Sequence, residues 1–459
     1  MRLRVGRETL GDAVAWVARA LPARPVVPVL SGLLLEASSA GLTLSCFDYE
    51  VSARVRIDAD VAEEGTALVP GRLLAEITRS LPAQPAEFSS DGDMVSLACG
   101  GAEFTLVSLP LADYPALPEP PPPAGTVEGG ALAVAASQVV PAASRDDTLP
   151  MLTAVCLDID GETLTLAATD RYRLAVRELS WVPAVPGIRA VAMVPARTLA
   201  EFARTMAPGA AVTVAFGVGQ PDASGQASPP GTGDPRPADG MISFEAGGRR
   251  LIARLIAGEF IRYRTRFPAE FSCRAEVPAA LFTEAVRRVS LVAERASPVR
   301  LTFGTGSVVI EAHAEGRARA VEAVAADFEG TERVISFNPH YLLDGLGAAA
   351  AGLPAPASPR QAGTAAGAGT GAGKGTGAGT GAVAGTGAGT GTGGDGGEQP
   401  QPEAGRIRLE FTSAAKPALI TWAGNGPDAA TENSVDGAAG ERRPAFRYLV
   451  VPLRVTARA

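Results

Sequence analysis

The chain has 459 residues, 46% of them apolar and 20% charged, with a net charge of −8. That length and apolar content suit about three domains of ordinary size, and the acidic balance excludes uniform basic coating while permitting a local basic surface. Four cysteines far apart in sequence (Cys46, Cys99, Cys156, Cys273), with only His313 and His340 beside them, exclude a disulfide scaffold and speak against a zinc site.

The first residues, Met1-Arg2-Leu3-Arg4-Val5, enter a folded pattern without an apolar leader, and no uncharged apolar run reaches about 18 residues. Neither export nor a membrane span is expected. An amphipathic helix follows, with Leu10, Val14, Val17 and Leu21 on one face. Leu33-Leu34-Leu35-Glu36, Leu42-Thr43-Leu44 and Val51 to Ile57 read as strands, with Asp48 in a turn between the last two. Val69 to Arg79 is a second helix led by Pro70, and Phe104 to Leu109 a further strand. A polyproline run, Pro118 to Pro123, then reads as a stiff connector.

The same order recurs. Val69-Pro70-Gly71-Arg72-Leu73-Leu74-Ala75-Glu76 returns 125 residues later as Val194-Pro195-Ala196-Arg197-Thr198-Leu199-Ala200-Glu201. Leu164-Thr165-Leu166 with Asp170 repeats the strand and turn at 42–48. A third copy holds a helix through Phe282, Ala285, Val286 and Val289, strands at Val299–Phe303 and Val308–Ile310, and a weaker Pro-led helix from Phe337 to Leu346. In that copy Tyr341 and Ala348 read as the counterparts of Arg72 and Arg79. Each unit reads helix, strands, helix, strands. The predicted class is α+β: three repeated domains, each two helices on antiparallel sheet, at 1–125, 126–269 and 270–459. Like units in a row favour ring or arc geometry.

Three segments stand outside this pattern: 219–240, 351–405 with its Gly-Ala-Thr centre, and 424–444. Their composition cannot repay backbone ordering, so they read as external loops or flexible coil.

The helices carry a second repeat. At about 100° per residue, Leu74, Ile77 and Leu81 lie about 140–200° from Arg72, and Arg79 returns close to it. Arg197 and Arg204 repeat those phases, and Arg19, Arg24, Arg287 and Arg288 extend the surface. A solvated face does not require matched positions; contact with a phosphate backbone does, and such contact is indifferent to base sequence and sensitive to salt. No dinucleotide, phosphate-loop, metalloprotease or nucleophile-elbow motif is present, and Gly373-Lys374-Gly375-Thr376 lacks the preceding strand and the glycine spacing of a phosphate loop. Asp48 and Asp170 read as turn residues, as does the Asp146-Asp147 pair. No catalytic residue, metal or cofactor is expected.

Leu21-Pro22-Ala23-Arg24-Pro25, Leu109-Pro110-Leu111-Ala112-Asp113-Tyr114-Pro115, Ala168-Thr169-Asp170-Arg171-Tyr172-Arg173-Leu174-Ala175 and the ending Tyr448-Leu449-Val450-Val451-Pro452-Leu453 resemble the bacterial replicative sliding clamps, the beta subunits of DNA polymerase III. The resemblance covers nearly everything outside the three odd segments. It implies clamp-type domains forming half of a ring and a homodimer around duplex DNA of any sequence. It further implies a non-catalytic role in processivity, in the cytoplasm at the nucleoid. The implied partners are the polymerase III alpha subunit, the clamp loader and other clamp-binding peptides, with no membrane. The implied peptide groove comprises Leu152, Thr169, Arg171, Tyr172, Arg173, Leu174, Ile261, Leu449, Val451, Pro452 and Leu453, with Leu174, Ile261, Val451 and Leu453 offering apolar surface. The implied dimer contact pairs Phe104 and Leu106 with Leu291 and Val292. The usual Phe-Pro pair of the family stands here as Phe260-Ile261, followed by a basic run. The departure leaves two further readings: a specialised second clamp, and a clamp-like scaffold that keeps the groove without encircling DNA.

Overall fold

A computed structural model describes residues 1–206, 208–218, 236–293, 297–314, 316–351, 405–423 and 445–453. All belong to one compact unit, Met1–Leu353 with Gly405–Ala459; a second unit, Pro354–Ala404, lies outside the described residues. The Gly-Ala-Thr tract, the loop at 424–444 and residues 219–235 of the 219–240 excursion also fall outside them; the last five residues of that excursion, 236–240, are strand and not loop.

The first repeat runs β1 (Arg2–Val5), α1 (Arg7–Val17), β2 (Gly32–Ser38), β3 (Gly41–Phe47), β4 (Val51–Ile57), β5 (Asp60–Glu63), β6 (Gly65–Pro70), α2 (Gly71–Ser80), β7 (Ala86–Asp91), β8 (Met94–Cys99) and β9 (Ala102–Val107). The second runs β10 (Pro123–Glu128), α3 (Gly129–Val139), β11 (Ala154–Asp160), β12 (Thr163–Thr169), β13 (Arg173–Ser180), β14 (Val182–Pro183), β15 (Arg189–Pro195), α4 (Ala196–Ala203), β16 (Ala211–Val218), β17 (Arg236–Ala246) and β18 (Arg249–Arg254). The third runs β19 (Cys273–Pro278), α5 (Ala279–Ser290), β20 (Val299–Gly304), β21 (Ser307–Ala314), β22 (Ala318–Ala325), β23 (Asp327–Glu329), β24 (Arg333–Phe337), α6 (Pro339–Ala351), β25 (Arg406–Phe411), β26 (Ala418–Ala423) and β27 (Phe446–Val450).

Each repeat therefore opens with a strand and not with a helix, which corrects the order read from sequence. The opening strands are short, and their alternation, as in Arg2-Leu3-Arg4-Val5 with Leu3 and Val5 buried, is too brief to stand out beside a helix.

The register also corrects the third copy. Val69 pairs with Leu33, Val194 with Val155 and Phe337 with Val299, so Asn338 takes the place of Pro70 and Pro195. Asn338 caps α6, its side-chain oxygen accepting from the His340 amide at 2.9 Å. The counterparts of Arg72 and Arg79 are thus His340 and Gly347. Leu74, Leu199 and Leu342, aligned this way, are all fully buried.

Apart from a short parallel contact between β15 and β17, the ladders are antiparallel. Two of them join repeats. β4 pairs with β18, Ala53 opposite Leu251, and β13 pairs with β27, Ala175 opposite Tyr448. The corresponding strands at the two ends, β9 and β22, are edge strands of a five-stranded sheet (β5-β1-β7-β8-β9) and a four-stranded sheet (β22-β21-β20-β24). The four cysteines are buried free thiols, and burial pushes the Cys46 thiol up to about 12. Among the described residues no helix is long and apolar enough to cross a membrane.

Candidate functional site

The turn after β12 is built by two side chains. Thr169 Oγ1 donates to the Arg173 carbonyl at 2.6 Å and accepts from the Arg171 amide at 3.1 Å. Asp170 Oδ1 accepts from the Tyr172 and Arg173 amides, both at 3.0 Å, and Asp48 does the same for Glu50 and Val51. Both carboxylates are turn residues, as their repetition predicted, and Asp146 likewise accepts from the Thr148 amide. The turns hold Arg171 at φ +79° and Tyr49 at φ +73°, a conformation that non-glycine residues adopt only when neighbours over-determine it.

Arg173 does not wall an open groove. It is 9% exposed, donates to Asp170 at 2.9 Å, to Asp344 and to the Tyr448 hydroxyl, and lies 4.6 Å over the Tyr341 ring. Burial alone would lower its pKa; Tyr448, Asp344 and Asp170 outweigh that and push it up. Its guanidinium ties β13 to α6 and β27 and has little left for a ligand.

Leu174 and Leu449 face each other across the β13–β27 ladder and are 5% and 4% exposed; with Tyr263, Cys156 and Leu419 they form a small core. Pro452 is buried as well. These three lie beneath the surface and do not line it; Tyr263, Phe260, Phe267 and Phe271 pack on the cluster that holds Leu174 and Leu449. What remains exposed is Ile261, Val451 and Leu453, together with Arg171 and with Tyr172, which stacks on Tyr341 at 5.9 Å. Sequence reasoning missed Leu149 and Met151, exposed apolar residues beside half-buried Leu152; the signal was a short Leu-Pro-Met-Leu run without periodicity. The Val451 amide donates to the Tyr172 carbonyl at 2.8 Å, and the Leu453 amide to the Ser336 carbonyl at 2.7 Å. The segment bearing Ile261 is fixed through Tyr263, whose hydroxyl donates to Asp158 at 2.6 Å. Burial and the Asp158 carboxylate keep that phenol protonated.

All eight arginines singled out on the helices are exposed. Arg72 donates to the Leu21 and Pro22 carbonyls at 3.3 and 3.0 Å and has no carboxylate partner among the described residues. Arg204, Arg287 and Arg288 instead pair with Glu201, Glu284 and Glu322. Arg19 and Arg197, from different repeats, line one cavity at the β4–β18 ladder, whereas Arg24 and Arg79 stand in solvent.

Of the residues assigned to a subunit contact, Leu291 is 83% exposed, and Val292 and Phe104 are half-buried. Leu106 is 3% exposed and faces the core, so it offers no apolar surface. On an alternating strand where the flanking residues Thr105 and Val107 point outward, this is the pleat's doing.

Models of the DNA polymerase III beta subunit match the chain in three consecutive parts: the N-terminal domain at 1–118, the central domain at 126–261 and the C-terminal domain at 264–351. The beta sliding clamp of Streptomyces coelicolor is 51% identical over 348 residues, covering 76% of this chain and 88% of that one. The beta sliding clamp homolog GriR of Streptomyces muensis is 44% identical over 346 residues, covering 75% and 88%. The crystal structure of the Bacillus subtilis sliding clamp superposes with a TM-score of 0.74 at 21% identity, covering 99% of this chain and all of that one, a likeness of fold.

Proposed function

The chain belongs to the DNA polymerase III beta subunit family and acts as a DNA sliding clamp; from that premise we propose that two copies join head to tail, β9 of one against β22 of the next, and close around duplex DNA. The ring is a non-catalytic processivity factor working in the cytoplasm at the nucleoid. It tethers the polymerase III alpha subunit and other clamp-binding peptides and is placed by a clamp loader.

One observation carries the closure. The internal ladders put Leu251 opposite Ala53 and Tyr448 opposite Ala175, a large apolar residue against alanine each time. The hairpin registers make Phe104 the counterpart of Leu251 and Tyr448, and Ala320 the counterpart of Ala53 and Ala175. A third ladder of the same design sets Phe104 against Ala320 of the partner subunit, completing two otherwise open sheet edges. Helix alignment makes Leu291 the counterpart of Arg19 and Leu73 that of Thr198, both in the wall of the cavity at the first ladder. Exposed Leu291 and Leu73, 83% and 46% accessible, then cover each other across the join. Sedimentation equilibrium at micromolar concentration should give the dimer mass; monomer alone would overturn the reading.

The same head-to-tail order lets α2 present Arg72 and Arg79, α4 present Arg197, and the segment after α1 present Arg19 and Arg24 to the phosphate backbone, with Arg204, Arg287 and Arg288 joining once their carboxylate partners yield. The partner peptide lies on Tyr172, Ile261, Val451 and Leu453, with Arg171 at the rim. Thr169, Arg173, Leu174, Leu449 and Pro452 set the shape of that surface from below, and Leu152 closes one side.

A further inference from the structure

The two internal joins are built alike but filled differently. Trp16 of α1 donates its indole N–H to Thr205 at 3.2 Å; at the second join its counterpart Gln138 donates to the carbonyl of Ala348, the counterpart of Thr205, at 3.0 Å. At the second join Arg173 occupies the centre, between the carboxylates of Asp170 and Asp344. At the first join both carboxylates remain, as Asp48 and Glu201, but the counterpart of Arg173 is Val51. There Asp48, Val51, Thr198, Glu201, Phe202 and Leu251 line an open-mouthed cavity of about 170 Å³. These are the counterparts, in order, of Asp170, Arg173, Tyr341, Asp344, Gly345 and Tyr448, the group in which the guanidinium sits. The aromatic face lost with Tyr341 is replaced, since Trp16 also lines the cavity.

We propose that this cavity is a binding site for a guanidinium group on an aliphatic stem, supplied from outside the fold. Asp48 and Glu201 supply the acceptors, and the Trp16 ring supplies the face on which a planar cation stacks. Four of the chain's own cations bear on the site. Arg204 already pairs with Glu201 at 2.8 Å, Arg249 lies over the Trp16 ring at 5.6 Å, and the exposed Arg19 and Arg197 stand in the wall, so an entering group competes with them and stacks on the ring only where Arg249 leaves it free.

Calorimetry with agmatine as the guanidinium probe tests this, with putrescine as the matched ammonium control and N-acetylarginine amide as the peptide-borne form. Agmatine should bind the wild type about ten-fold or more tightly than putrescine, because only the planar fork meets two carboxylates and a ring together. Val51→Arg should abolish binding by filling the cavity in cis, with a melting temperature at or above that of the wild type. Asp48→Asn, whose amide oxygen can still accept from the turn amides, should weaken agmatine about ten-fold and keeps the test informative if Val51→Arg folds poorly. Binding of N-acetylarginine amide as tightly as agmatine assigns the ligand to a protein arginine, and binding of agmatine alone to a small molecule; either outcome supports the site. Removing the competing cations in Arg19→Ala/Arg197→Ala should strengthen binding. The proposal is overturned if agmatine binds neither the wild type nor that double variant at millimolar concentration, if putrescine binds equally well, or if Asp48→Asn binds agmatine unchanged.

Discussion

Tyr448 occupies space that Gly345 leaves open: a Cβ at position 345 would lie 2.5 Å from the Tyr448 ring. At the other internal join the pair is reversed in size, Phe202 standing for Gly345 and Leu251 for Tyr448, so the two joins keep one architecture with exchanged volumes.

This pair gives a prediction with an internal control. Gly345→Ala should gain about 0.5–1 kcal/mol of helix propensity but drive a methyl group into a rigid ring, and overpacking of about 1–3 kcal/mol wins. Gly347→Ala in the same helix meets nothing within 4 Å and should stabilise by about 0.5–1 kcal/mol. Denaturant melts of the two variants should move in opposite directions.

The subunit join distinguishes a surface residue from a core residue. Leu291→Asp, at an exposed position, should shift the dimer toward monomer while each monomer keeps its melting transition. Leu106→Asp should lower the melting transition itself, because it buries a carboxylate without a partner. Sedimentation read beside a thermal melt separates the two, and a folded monomer from Leu106→Asp would contradict the placement of that side chain.

Much of this was legible in sequence because two helices kept the same residues. Val69-Pro70 and Val194-Pro195 announce the repeat, and the arginines two and nine residues past each proline share a phase on helices whose buried stripe is real. The third copy was misread by one residue because Pro339, a familiar first-turn residue, drew attention from Asn338, the actual cap. The compensation of Arg288 was out of reach because Glu322 lies 34 residues away and meets it only through the packing of α5 on β22. Arg173 looked like a groove residue for a similar reason: its partners Asp344 and Tyr448 come from another repeat. Local pattern shows which face a residue takes. It does not show what arrives on that face from elsewhere in the chain.

Acid stability should depend in part on Glu128. Burial works to raise its pKa, but the amides of Gly130, Ala131 and Gly209 outweigh that and hold the carboxyl below its usual range. A carboxylate depressed in the fold adds stability that is fully present above the unfolded value of about 4.3 and is lost as pH falls through the lower folded value. Glu128→Gln should therefore cost stability at neutral pH, by about 1 kcal/mol as for a lost helix cap, and flatten the stability profile below pH about 4. Melts at several pH values check the slope.

Leu453 is the most direct test of the groove. It is 38% exposed in the free chain, so Leu453→Ala removes contact made chiefly with a bound peptide and should cost about 1–3 kcal/mol of peptide affinity, roughly five- to a hundred-fold. Calorimetry with a clamp-binding peptide measures it. Unchanged affinity would move the groove away from Leu453.

The central claim is topological linkage, and one measurement addresses it: the lifetime of the loaded protein on nicked circular DNA in high salt, before and after a single cut linearises the circle. Salt screens Arg19, Arg24, Arg72, Arg79 and Arg197, leaving closure of the ring as the only restraint. The protein should remain on the circle and leave within the time needed to slide off once the DNA is cut. Equal lifetimes on circle and linear DNA would contradict encirclement and leave the arginines as an open binding face.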